Sequence, residues 1–158
     1  MESDDVTIHE LATDFDDKEM YSIDFYGANL IVTVTSSPAV VRNWIQSTWW
    51  IYRSYRHRFV VGLGVQWNPY SDEPADHKLA LSSTPKDLRY SVADRYDEPE
   101  LRGASMETLV SRFFGYDGLR KDPNVSMSNW NADWLTDEQV LYAAVDAYVS
   151  FQMGKVMF

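Results

Sequence analysis

The sequence predicts a small α/β domain built from an N-terminal hairpin, a small mixed sheet and about four helices. Three stretches carry that expectation. Met20–Phe25 and Leu30–Thr35 are β-branched or alternating runs separated by Gly27 and Asn29. Phe59–Trp67 is a nearly continuous apolar run, the pattern of a central strand. Thr136-Asp137-Glu138-Gln139 has the form of a capping box and opens a long apolar segment, the pattern of a helix.

The chain has 158 residues, suited to one domain, and 45% hydrophobic content with 15% aromatics is ample for a core. It contains no cysteine, which excludes disulfides and thiolate metal sites. The acidic N-terminus resembles neither a secretory signal nor a transit peptide, so an intracellular protein, nuclear or cytoplasmic, is expected. No apolar run reaches the length of a membrane span, and no membrane partner is expected. The net charge is −10, and residues 1–19 hold eight acids against one base, Lys18. Such a field opposes general binding to phosphate backbones.

Residues 1–18 read as a solvated acidic tail preceding a domain over 19–158. After the hairpin, Ser37 as N-cap and Pro38 at the first position start a helix ending near Tyr52. Its helically spaced Val40, Val41, Trp44, Ile45 and Trp49 are expected to be core. Arg53, Arg56, His57 and Arg58 form a basic patch among Tyr52 and Tyr55, and its arginines are candidates for nucleic-acid contact. A solvated connector is the plainer reading. After the central strand comes an acidic loop with Asp72, Glu73 and Asp76, then a short strand at Lys78–Leu81. Thr84-Pro85 opens a helix to about Tyr96, with Leu88, Val92 and Tyr96 inward, broken at Asp97-Glu98-Pro99. Ser105 caps the next helix, which stops at Gly115. Residues 116–129 read as loop. The last helix runs to about Met153.

Within that last helix, Tyr142 and Asp146 lie four residues apart and share a face. A carboxylate able to hold a divalent metal beside a hydroxyl able to orient water is half of a hydrolytic site.

Ser128-Asn129-Trp130 through Tyr148-Val149-Ser150 resembles the third motif of the ribonuclease-H-like 3′–5′ exonucleases of the DEDDy type, in the plant branch of the Werner-syndrome-like exonuclease domains. Val60–Pro69 resembles the first motif by its flanks, and Asp87-Leu88-Arg89 with Ser105–Gly115 resembles the segment before the third. The resemblance implies a truncated ribonuclease-H-like fold. In that family four carboxylates hold two divalent metals that activate water and stabilise the leaving oxygen. Two of them come from an Asp-x-Glu whose positions here are Gly64 and Gln66. A third sits in a second motif for which this chain has no room, because it crosses from Leu81 to Asp87 in five residues. Asp146, beside Tyr142, is the remaining match, a vestigial site and a weak metal ligand.

One carboxylate cannot hold two hard cations. The resemblance with its losses therefore implies an inactive exonuclease-like protein with no expected cofactor. Apolar helices deprived of their usual cover imply self-association or pairing with a related exonuclease-like protein. Two alternatives remain. One is residual Mg²⁺- or Mn²⁺-dependent 3′–5′ exonuclease activity using Asp72, Glu73, Asp76 or a second subunit. The other is a nucleic-acid binder with a groove near Arg53, Arg56 and Arg58.

Overall fold

The computed structural model describes residues 5–54, 60–66, 86–116 and 122–158. The chain divides into two compact units, Glu2–Val61 and Gly62–Phe158.

The first unit begins with three antiparallel strands in the order β1-β2-β3: β1 (Val6–Leu11), β2 (Glu19–Phe25) and β3 (Ala28–Val34). The β2–β3 hairpin follows from local chemistry. Phe25 pairs with Ala28, so the loop is Tyr26-Gly27, and both have positive φ, 50° and 77°. That is the mirror-image turn whose twist suits a two-residue hairpin. Asp24 Oδ1 accepts from Gly27 N–H at 3.1 Å, closing the turn. Tyr21, Ile23 and Phe25 alternate along β2 as its buried face.

Strand β1 corrects the expected tail. Val6–Leu11 pairs with β2 along its whole length, Val6 opposite Phe25 and Leu11 opposite Met20. The neighbouring acids obscure a short alternation in which Val6 is buried. The division between the compact units falls between Val61 and Gly62. The sheet among the described residues is antiparallel throughout, not mixed.

Helix α1 (Pro38–Ile51) starts and ends where the sequence predicts, with extended Ser37 before it and Tyr52 as C-cap. Its apolar side chains differ from expectation: α1 has no buried residue. Val41, Trp44, Ile45, Trp49 and Trp50 are all exposed, Trp44 by 58% and Trp50 by 67%. An amphipathic spacing specifies a face and not what covers it, which is why the sequence misplaces this one.

The second unit opens with Gly62–Gln66. Val60–Gln66 belongs to no strand, although its apolar character predicts a central one. Val61, Leu63 and Val65 are exposed. Helices α2 (Leu88–Tyr96), α3 (Met106–Phe114), α4 (Pro123–Ser126) and α5 (Asp137–Met157) follow, with a 3-10 turn at Pro99–Gly103. Each boundary has a chemical cause. Asp87 caps α2, and Asp97 ends it with φ 55°. Ser105 Oγ accepts from Thr108 N–H at the start of α3, and Gly115 ends it with φ 66°. Short α4, capped by Asp122, interrupts what the sequence presents as loop.

Helix α5 carries both halves of the capping box, Thr136 with Gln139. Val145, Val149, Met153 and Met157 repeat at the spacing of one helical face and are buried. Helices α2 and α4 pack on α5. Val92, Leu101, Leu109 and Val110 complete the core of this unit. The predicted strand at 78–81 and the acidic loop lie outside the described residues, and α2 begins at Leu88, after the extended cap Asp87, later than the start predicted from Thr84-Pro85.

Candidate active site on the last helix

Helix α5 fixes Tyr142 and Asp146 one turn apart. Asp146 is buried, and Tyr142 is half-buried. The Tyr142 ring lies 6.0 Å from that of Trp130 at a tilt of 58°. Trp130 is itself held by its indole N–H, which donates to the Ser126 carbonyl at 3.1 Å. Below it, Gln139 Nε2 donates to Ser128 Oγ at 2.9 Å and to the Asn129 carbonyl at 3.1 Å. The 128–130 segment is thus tied to α5 by the same glutamine that completes the helix cap.

The segment 62–66 lies against this helix at Asp146. Gly62 approaches so closely that an added Cβ would collide with the Ala147 carbonyl and the Phe151 backbone. At Gly64 an added Cβ would stand 3.2 Å from the Asp146 Cβ. Gln66 then turns its amide to the carboxylate: Nε2 donates to Asp146 Oδ2 at 2.9 Å across 80 positions of sequence. Of the residues singled out in the sequence, Gly64, Gln66, Tyr142 and Asp146 all lie within the second unit. Arg53 lies in the first, with its guanidinium 4.2 Å above the Trp50 ring and donating to the Trp50 carbonyl at 3.1 Å. Arg56 and Arg58 lie outside the described residues, as do Asp72, Glu73 and Asp76.

The contributions of Gly62 and Gln139 are not evident from sequence reading alone. The Gly62-x-Gly64 spacing is the signal for a backbone pressed against a helix. For Gln139, the signal is a capping box a few residues after a Ser-Asn pair.

Two carboxylates near these elements are held below their ordinary range. The Arg89 side chain hydrogen-bonds Asp87, at 2.8 and 3.2 Å, and lowers its pKa. Glu138 is lowered by its own backbone N–H and then by the Thr136 hydroxyl, as expected in the first turn of a helix.

The donor set can be weighed against the divalent cations of two-metal hydrolysis. Such cations require several anionic oxygens at close range. No group of three or more histidine or acidic side chains is placed to hold an ion among the described residues. Around Asp146 those residues bring one carboxylate and one amide, and the amide presents an N–H to the carboxylate. They do not fit a paired-metal centre.

Residues 83–157 match a family profile described as 3′-5′ exonuclease. This part of the chain, with Tyr142 and Asp146 inside it, is similar to a 3′–5′ exonuclease domain. The three-stranded antiparallel sheet and the five α-helices among the described residues agree with a truncated ribonuclease-H-like fold. A similar protein is the Homo sapiens Exonuclease 3'-5' domain-containing protein 2, 36% identical over 64 residues. That alignment covers 40% of this chain and 10% of the human protein. No solved structure matches. The profile match begins at residue 83 and so leaves Gly64 and Gln66 outside it. No helix among the described residues is long and apolar enough to cross a membrane.

Proposed function

We propose that this is a catalytically inactive exonuclease-like protein that acts by associating with another protein, either a second copy or a related exonuclease-like chain. One observation carries the loss of chemistry: the hydrogen bond from Gln66 Nε2 to Asp146 Oδ2. It sets a donor against the carboxylate oxygen that a cation would need. The resemblance puts an acid at both Gly64 and Gln66, so the surviving chemistry is one carboxylate and a phenol. In two-metal hydrolysis the paired ions supply the nucleophilic water, and one carboxylate with one phenol does not make up the ligand set of two such ions. Association is supported by the exposed tryptophans of α1, because aromatic side chains on a surface mark partner contacts.

The test is 3′-end trimming of single- and double-stranded oligonucleotides in Mg²⁺ or Mn²⁺. The reading predicts no trimming above a buffer control. Trimming that disappears in Asp146→Asn would contradict it and support the residual-exonuclease alternative.

A second reading, single-stranded nucleic-acid binding without cleavage, is favoured by the Arg53–Trp50 stack. An exposed arginine on an aromatic ring is the kind of platform on which bases stack. Salt-dependent binding to an oligonucleotide, lost in Arg53→Ala with Trp50→Ala, would support it.

A further inference from the structure

Strand β3 is an outer strand of its sheet among the described residues, and it is unusual for an edge. Ala28-Asn29-Leu30-Ile31-Val32-Thr33-Val34 contains no charge and no proline. Natural edge strands are commonly guarded by charge, because open N–H and C=O groups recruit another strand. The opposite edge, β1, has that guard in His9 and Glu10, with Asp5 immediately before it. On β3 the guard is missing, and Ile31 is 60% exposed.

The hairpin fixes which backbone groups point outward. With Phe25 paired to Ala28 across a two-residue turn, that pair exchanges both hydrogen bonds. Bonding to β2 then alternates through Ala28, Leu30, Val32 and Val34. The N–H and C=O groups of Asn29, Ile31 and Thr33 are directed along the outer edge.

We infer that β3 pairs antiparallel with β3 of a second copy of this chain, about a two-fold axis through Ile31. This rests on the association reading above and names its partner and surface. In that register Ile31 faces Ile31 of the second copy, and Asn29 faces Thr33. Each outward N–H meets an outward C=O, and the two sheets join as one six-stranded sheet.

Charge leaves this edge open to a second copy. Each chain carries −10, so two copies repel across most of their surface. From Phe25 to Tyr52, however, the sole charged side chain is Arg42. That stretch holds β3 and α1, and two acidic chains can approach there without placing like charges together.

The test is sedimentation of the full chain, with far-UV circular dichroism to confirm folding. The expected result is a dimer in the wild type and its loss in both Ile31→Pro and Ile31→Lys. Proline removes an outward N–H and leaves the ladder to β2 intact. Lysine adds the missing edge charge. Should both variants fail to fold, Ile31→Cys decides, since the chain has no other cysteine. Facing residues of a hydrogen-bonded antiparallel pair lie ~5.5 Å apart at Cα, within disulfide reach. Oxidation is therefore expected to yield a cross-linked dimer, and a Val41→Cys control to yield none. A wild type that stays monomeric, or a dimer lost in Trp44→Ala but retained in Ile31→Pro, overturns the inference. A monomer without nuclease activity would refute edge pairing alone. A nuclease-active dimer that cross-links through Ile31→Cys would refute inactivity alone.

Discussion

Gln66 and Asp146, 80 positions apart, meet through one hydrogen bond of 2.9 Å from amide nitrogen to carboxylate oxygen. That contact joins the 62–66 segment to α5 at the carboxylate of the candidate site.

Replacing the donor tests the contact. In Gln66→Glu a carboxylate faces the carboxylate of buried Asp146, and the bond becomes a repulsion. The expected cost is about 1–3 kcal/mol near neutral pH, the range for disrupting a partly buried charged hydrogen bond. Thermal melts of both proteins near neutral pH measure it, and equal stability would contradict the assignment.

Gly62 offers a sharper steric test. A methyl there collides with the Ala147 carbonyl and the Phe151 backbone, whereas Gly103 has open space. Gly62→Ala should lose about 1–3 kcal/mol by overpacking, as when extra methyl groups are forced into a packed site. Gly103→Ala should be neutral or slightly stabilising. Denaturant midpoints for the two variants separate the cases.

The start of α5 gives a graded pair. Thr136→Ala removes one cap and should cost about 1 kcal/mol. Gln139→Ala removes its half of the box together with the bonds to Ser128 and Asn129, and should cost more. Equal effects in urea unfolding would mean that the bonds to 128 and 129 contribute little.

Acid behaviour follows from Asp87 and Glu138. Both have folded pKa values below the ordinary 3.8 and 4.5. A depressed acid adds stability that is fully present above its unfolded value and lost as pH falls through its folded one. Each contribution should therefore persist at pH 5 and fade below about 4. Asp87 is half-exposed to solvent, so its effect should also shrink in salt. Carboxyl NMR titration of the wild type and Arg89→Ala reads the shift directly, and unchanged Asp87 titration would contradict it.

What the sequence reveals here is local chemistry. The turn at Tyr26-Gly27, the Ser105 and Gly115 boundaries of α3, and the Thr136 box are each specified by a few adjacent residues. The same locality explains the misses. Apolar spacing in α1 predicts a face, yet Trp44, Ile45 and Trp49 remain exposed, because no sequence pattern states what lies opposite. The run at 60–66 reads as a buried strand, yet Val61, Leu63 and Val65 face solvent and the adjacent Gly62 and Gly64 lie against α5. Strand β1 is hidden by its acidic neighbours. At the site, Gly64 and Gln66 are visible in the sequence as residues without a carboxylate, but the bond that Gln66 makes to Asp146 requires the fold.

The most direct measurement is Mn²⁺ binding, followed by calorimetry and by paramagnetic broadening of carboxyl signals, in wild type and in the Gly64→Asp/Gln66→Glu double variant. The account predicts no saturable site at Asp146 in the wild type and tighter binding in the double variant, where three carboxylates converge. Two equivalents of Mn²⁺ bound by the wild type and released by Asp146→Asn would contradict it.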